Sequence, residues 1–326
     1  MERAEQHLKI FVSSLTRRRP EMLNALLGSW AGMTIPDNCT VTFLIVENDT
    51  EQTAAAVMEA NRANFPNSNL LYVLETELGI PFGRNRAAKE AIAADADLLL
   101  FVDDDEEVAE DWLVRMIDGY RRSNAALLGA PLRSRPPEAK LSYIQQRMYE
   151  NVEARYAQKE ARAKQLATLN STDRVTIVTN NWLAELSIFK THNIWFDEAM
   201  RYTGGTDSKL YADVRRAGLV TGWVSDAFVY ETIPPERLSF AYQYRRARDQ
   251  SNTHIRRKSQ TLGRPAIVGV LPVPLKAVIL LGQLIAIPLT GGKTMLDAAR
   301  TMGWISGRIG YVAGTKSSLY SEVTGS

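Results

Sequence analysis

An α/β fold with a mostly parallel central sheet flanked by helices is what this chain predicts, on three observations. Apolar runs of strand length at residues 8–15, 39–46, 70–74 and 98–102 are separated by segments of helical periodicity. A helix between successive strands makes a β-α-β unit, which calls for parallel pairing through right-handed crossovers. Two of the runs end directly in acids, Glu47-Asn48-Asp49 and Asp103-Asp104-Asp105-Glu106-Glu107. No core accepts such groups unpaired, and an open α/β sheet binds its ligands beyond the carboxyl ends of its strands.

At 326 residues and 45% apolar composition, the chain can bury one large core or two modest ones. A formal net charge of +2 excludes a globally basic nucleic-acid binder, and the single cysteine, Cys39, excludes an internal disulfide or a cysteine zinc site. The polar start, Met1-Glu-Arg-Ala-Glu-Gln-His, holds no apolar stretch of signal-peptide type, so the body is expected to be cytoplasmic. The expected organisation is an α/β unit over residues 1–235, with a helical insertion at 138–170, then a basic and apolar helical region over 236–326.

Taken in order, the first strand leads through Thr16-Arg17-Arg18-Arg19-Pro20 to a helix carrying Met22, Leu23, Leu26, Leu27 and Trp30. A basic loop before a helix N-terminus suits an anion, the alternative being that these arginines are merely solvated. After the second strand come Glu47 and Asp49, a helix over about residues 51–63 and a third strand. Gly79-Ile-Pro-Phe-Gly83-Arg84-Asn85-Arg86 then opens a helix; its glycines permit tight turns, and its arginines suit a diphosphate or a base. Read alone, that stretch is an ordinary turn. Asp103, Asp104 and Asp105 offer clustered hard oxygens that suit Mg²⁺ or Mn²⁺ holding a phosphate, or else an acidic turn capping the next helix. A short strand is expected at 126–130 and a polar surface helix over 138–167, with Leu141, Ile144, Met148, Val152 and Tyr156 on one side. Residues 175–182 read as a strand ending in Asn180, Asn181 and Trp182. Gly204-Gly205-Thr206-Asp207 heads an amphipathic helix, where Asp207 either aims at a ligand or serves as an N-cap.

The order of these features resembles the family 2 glycosyltransferases of the GT-A fold, with spacing similar to bacterial exopolysaccharide glucosyltransferases of the succinoglycan type, over about residues 8–255. The resemblance implies a nucleotide-sugar site made of Thr16, Arg17, Glu47, Asp49, Arg84, Asn85, Asp103 and Asp104, with Asp103 and Asp105 as the Asp-X-Asp pair on a divalent cation. It implies Asp207 as the catalytic base, and an acceptor and donor pocket of Asn180, Asn181, Trp182, Gly204, Gly205 and Thr206. It also implies that Arg245 and Arg248, on an Arg-rich helix, face the diphosphate. Two departures stand out: Thr206 replaces the Glu of Gly-Gly-Glu-Asp, and Tyr230 replaces a His, leaving Glu231 or water as the third metal ligand.

The chemistry also follows without the family. Breaking a sugar–diphosphate bond requires the leaving charge to be neutralised, which a cation on carboxylates does. An acceptor hydroxyl must lose its proton as it attacks, and one base opposite the leaving group implies inversion. The expected partners are a nucleotide-diphosphate sugar, UDP-sugars foremost, and a saccharide or lipid-linked saccharide acceptor; self-association is compatible with this. Residues 266–289 are apolar but broken by Pro272, Pro274, Lys276, Gln283 and Pro288, and the clean part falls short of the roughly 20 residues of a span. After a basic stretch, this fits an interfacial anchor on the inner face of the plasma membrane, the alternative being packing on the body or on another subunit. The rival functions are a catalytically weak or inactive assembly subunit and, with less support, a nucleotidyltransferase or phosphohydrolase.

Overall fold

The computed structural model describes residues 6–169, 171–201, 205–262 and 265–315. Its first half is β1 (Leu8–Thr16), α1 (Pro20–Ala31), β2 (Cys39–Glu47), α2 (Ala55–Asn61), β3 (Asn69–Leu74), α3 (Ile80–Ala93) and β4 (Leu98–Val102). There follow β5 (Glu106–Val108), α4 (Trp112–Arg121), β6 (Leu127–Gly129), β7 (Leu132–Arg135), α5 (Tyr143–Thr168), β8 (Asn181–Glu185) and α6 (Ser187–Lys190). Next come α7 (Thr206–Arg216), β9 (Thr221–Trp223) and β10 (Val229–Thr232), and the chain closes with α8 (Phe240–Leu262), α9 (Val273–Leu289) and α10 (Met295–Val312).

A seven-stranded sheet runs in the order β3-β2-β1-β4-β8-β6-β9. β1 is parallel to both β2 and β4, β2 to β3 and β6 to β9, while β8 alone runs against its neighbours β4 and β6. A small sheet, β5-β10-β7, stands beyond the acid end of β4. β4 is apolar at every position because both its faces are covered. Leu98, Leu100 and Val102 join a core with Leu23, Leu27, Trp112 and Met116, while Leu99 and Phe101 join a second with Ala87, Ala91, Trp182 and Leu210.

Several features depart from the sequence pattern, among them β9 and β10, neither of which the sequence marks as a strand. The strand expected over residues 175–182 begins only at Asn181, because Asn181 is the residue that pairs with Val102, the last of β4; what precedes it has run past the end of its partner, and Val178 is exposed. β5 and β7 are three and four residues long, too short and too charged to show a period. The second helix is shorter than expected, ending in a 3-10 turn at Arg62–Asn64.

At the C-terminal end, α5 starts with a Ser142–Gln145 capping box and buries Met148 and Val152 against Ile233, Leu238 and Leu296. α10 lies directly on α8 through small residues: a Cβ at Gly307 would sit 2.2 Å from the carbonyl oxygen of Arg248. Gly307→Val should therefore push the helices apart and destabilise the fold by about 1–3 kcal/mol, readable as a lower denaturant midpoint. An unchanged midpoint would show that this contact is not close-packed. α9 buries none of its side chains; Leu275, Val278, Leu281, Ile285 and Leu289 all point outward. With the 3-10 turn before it, the stretch Ile267–Leu289 spans 23 residues at mean hydropathy 2.1, long and apolar enough to cross a membrane by length and composition, where the sequence's unbroken run was too short.

Candidate active site

β1, β2 and β4 are parallel neighbours, so their carboxyl ends form one edge, with Thr16 opposite Glu47 and Asp103 to Asp105 just beyond β4. Because β8 is antiparallel to β4, its N-terminal end reaches the same edge, bringing the half-buried Asn180 in the turn before it. β10 lies across from β5 and carries Glu231 opposite Glu106. Asp103, Asp104, Asp105, Glu106 and Glu231 therefore share one electrostatic neighbourhood.

Such crowding has measurable consequences. Burial, opposed by Arg84 and reinforced by Asp105, Asp104 and Asp207, pushes the Asp103 carboxyl up to about 7, although its side chain keeps 45% of its exposure. Burial, opposed by Arg19 and reinforced by Asp105, raises Asp104 to about 6. Glu106 is raised well above the ordinary carboxylate range by burial, then by Asp103 and Asp105, while accepting the Asp103 amide at 2.9 Å. Uncompensated, acids like these would hold protons or open the fold.

Three arginines from separate elements supply the compensation. Arg19 donates to Asp104 at 2.7 Å, where the Thr16 hydroxyl also donates at 2.9 Å. Arg237 bridges Glu231 at 2.8 Å and Asp105 at 2.9 Å; Tyr156 donates to the other oxygen of Glu231 at 2.6 Å. Arg84 lies 3.7 Å from Asp103 and donates to the Thr206 hydroxyl at 3.3 Å. Thr206 opens α7, whose N-cap Gly205 sits at φ 94, a left-handed turn that glycine adopts without strain. Asp207 is thus in the first turn of α7 rather than its N-cap, and its charge reaches Asp103. Gly204 lies outside the described residues.

Around β2 the arrangement is different. Asp49 is bound by Arg18 at 2.6 and 3.2 Å, with Arg17 at 3.5 Å and the Thr50 amide at 2.8 Å. Burial opposes its ionisation, but Arg18 and the Thr50 amide hold it below the usual carboxylate range. Arg18 has φ 54, and this left-handed kink divides the loop: Arg17 and Arg18 serve Asp49, and Arg19 serves Asp104.

Several residues expected at the ligand are used by the fold instead. Glu47 is fully buried and accepts from Thr53, the Ala54 amide and Tyr72, which anchors the entry to α2. Asn85 spends its amide on Phe196 and Glu198, fixing the segment that leads to α7; with Gly83 it lies inside α3, not at a turn. Asn181 accepts from Trp112 Nε1 and donates to the carbonyls of Pro131 and Ala227, all at 2.9 Å. Trp182 is 1% exposed and stacks on Phe101 at 5.7 Å. Glu231 has both oxygens engaged by Arg237 and Tyr156, and among the described residues no three acid, His or Cys side chains gather at metal-ligand spacing. On α8, Arg245 is exposed and Arg248 pairs with Asp249, whereas Arg246 is the arginine within electrostatic reach of Glu231.

Sequence reasoning did not foresee the partners of Arg19, Arg237 and Asn48. Asn48 donates to the carbonyls of Glu75 and Glu77 and accepts from the Gly79 amide, clamping the loop before α3. The signal for the arginines was present: five acids in one cluster demand counter-charge.

The chain is 27% identical over 247 residues to the succinoglycan biosynthesis protein ExoM of Rhizobium meliloti (strain 1021), covering 76% of this chain and 74% of that one. Among solved structures it is similar to the mannosyltransferase PcManGT from Pyrobaculum calidifontis, in complex with GDP-Man and Mn²⁺, with TM-score 0.64 at 12% identity over 97% of this chain and 90% of the other. S. aureus TarS 1-349 matches with TM-score 0.52 at 15% identity over 94% and 92%. These likenesses establish the GT-A fold. The family model described as "Glycosyltransferase like family 2" matches residues 8–252, most of the chain, and the protein is therefore a glycosyltransferase belonging to that family.

Proposed function

We propose that this chain moves a sugar, with inversion, from a nucleotide-diphosphate sugar to a lipid-linked saccharide in cell-surface polysaccharide synthesis. In this reading residues 1–235 catalyse, and residues 236–326 hold the enzyme at the inner face of the membrane. The observation that carries the reading is the Arg84 bridge. One buried guanidinium spans from Asp103 at the tip of β4 to Thr206 at the head of α7, so the acid cluster and Asp207 share a site. Relatedness to a succinoglycan biosynthesis protein and the outward apolar face of α9 support the acceptor and the location. PcManGT in complex with GDP-Man and Mn²⁺, and S. aureus TarS 1-349 in complex with UDP, support a nucleotide donor; the second makes UDP-sugars the first to test.

Asp103 and Asp105 fit a divalent cation by their chemistry. Both are hard oxygen donors, and the raised proton affinity of Asp103 marks a place that wants positive charge. Mg²⁺ needs only one or two carboxylates beside phosphate oxygens and water, so Glu231 is not required. When bound, Mn²⁺ or Mg²⁺ would neutralise the departing diphosphate. The chain's own groups do the rest. Arg84 orients Asp103 and the Thr206 hydroxyl, Asn85 and Gly205 set where α7 begins, and Asp207 takes the proton of the attacking hydroxyl.

A thermal screen of UDP-, GDP- and dTDP-sugars with and without Mn²⁺ tests the donor. At about a hundredfold excess over Kd a ligand stabilises by about 2.7 kcal/mol, a rise of several degrees. A UDP-sugar shift that needs Mn²⁺ is expected; no shift with any sugar nucleotide would end the reading. One observation favours a second reading, an inactive assembly subunit: Arg237 already neutralises Asp105. Binding without release of nucleoside diphosphate, even with membrane extract and Mn²⁺, would select it.

A further inference from the structure

We propose that a cationic cavity between α5, α8 and α10 seats the phosphate or diphosphate group of the lipid-linked acceptor. This rests on the acceptor class proposed above. The cavity is open, about 280 Å³, and lined by Arg155, Arg300, Gln250, Ser251, His254 and Trp304 among others. That is just below the roughly 300–1,000 Å³ of drug-sized ligand pockets, the size for a headgroup rather than a whole acceptor.

Its charge is unbalanced. Lys159 and Arg246 stand within electrostatic reach of Arg155 and Arg300, so four cations from three helices share the region. The acids nearby are already engaged: Asp297 pairs with Arg155 at 2.8 Å, and Glu231 is held by Arg237 and Tyr156. Arg246 and Arg300 have neither a hydrogen bond nor an ion pair among the described residues. Arg300 is lowered to about 10 by burial, then by Arg155 and Arg246, and Lys159 is lowered by burial, then by Arg300, Arg155 and Arg246. Asp297 and Glu231 offset part of this charge, and Arg246 is raised, against burial, by Tyr242, Glu231 and Tyr156, but two acids face four cations, and a phosphate accepting several N–H donors relieves the remainder.

The position singles out a phosphate carried on a lipid. On one side, Arg300 of the cavity is within electrostatic reach of Arg246, which senses Glu231, the residue that shares Arg237 with Asp105, so a series of charged groups leads from the cavity toward the acid site. On the other, the Trp304 ring faces Lys276 of α9 at 5.8 Å and Arg308 at 4.6 Å. α9 is the helix that leaves Leu275, Val278, Leu281, Ile285 and Leu289 exposed. A hydrocarbon chain along α9 would bring its phosphate to Trp304 and the arginines, with the attached sugar directed toward the acids.

The test uses the full chain in detergent micelles, titrated with farnesyl diphosphate, farnesol and inorganic pyrophosphate. Farnesyl diphosphate is expected to bind, and Arg155→Gln/Arg300→Gln to weaken it at least about tenfold, as loss of charge-assisted hydrogen bonds does. Arg300→Lys, which keeps the charge, should retain most of the affinity. The double variant should unfold no earlier than the parent, since it removes repulsion along with the Arg155–Asp297 pair, and its Mn²⁺-dependent donor shift should be unchanged. Equal affinity in the double variant would overturn the site. Pyrophosphate binding as tightly as farnesyl diphosphate would overturn the lipid source, and farnesol doing so would overturn the phosphate. Loss of the donor shift in the parent chain, with farnesyl diphosphate binding intact, would count against the donor reading and not against the cavity.

Discussion

Asp207→Asn is expected to lower sugar transfer by about 10²–10⁴-fold while leaving the Mn²⁺-dependent stabilisation by sugar nucleotide within a few-fold of the parent. The substitution keeps the shape and an acceptor oxygen but removes the group proposed to take the hydroxyl proton. The placement argues for this split. Asp207 lies one residue past Thr206, which Arg84 ties to Asp103 at the tip of β4, and it occupies the first turn of α7, where the helix favours a negative charge. Losing that charge should cost stability only about 0.3–1 kcal/mol, so the variant remains folded and assayable. The measurement is nucleoside diphosphate release against donor binding, with the anomeric configuration of the product read by NMR. Transfer within threefold of the parent would remove Asp207 as the base. Retained configuration in the product would remove single displacement altogether.

The parts of this site that could be read from the chain are those whose cause is local. β4 was legible because a strand covered on both faces leaves an unbroken apolar run, and five acids directly after it call for counter-charge. The head of α7 was legible as a helix start because glycines precede it, although the spacing left Asp207 open between a ligand role and an N-cap. What could not be read were partnerships made across the fold. Asn85 meets Phe196, Asn181 meets Trp112, and Arg237 meets Asp105, each pair so far apart in the chain that nothing beside one member names the other. The arginine loop shows the limit most clearly. Thr16-Arg17-Arg18-Arg19 suggests an anion site, yet the left-handed turn at Arg18 sends the loop's charges to two different carboxylates, and no residue type in the loop announces that turn. The missed strands β5 and β7 fail for a related reason: at three and four residues, tertiary pairing with β10 makes them strands, not their own pattern.

Arg237→Gln is expected to lower stability by about 3–5 kcal/mol, the usual result of removing one partner from a buried ionic network. Arg237 keeps 9% of its side-chain exposure, Asp105 13% and Glu231 10%, so water cannot stand in for the guanidinium. Burial works against its charge, yet Asp105, Tyr242 and Glu231 raise its proton affinity regardless, so it remains a fixed cation. Arg237→Lys should recover only part of the loss, because one ammonium on a flexible stem cannot reproduce the planar fork that reaches two carboxylates at 2.8 and 2.9 Å. The informative comparison is with Mn²⁺ present. In the parent, a divalent cation approaching Asp105 competes with Arg237; in Arg237→Gln that competitor is gone and the carboxylate seeks charge. Mn²⁺ should therefore raise the melting temperature of the variant by more than it raises that of the parent, and Asp105→Ala placed in the same background should abolish the difference. Equal Mn²⁺ responses in parent and variant would show that Asp105 serves the fold alone and that Asp103 holds the cation without it.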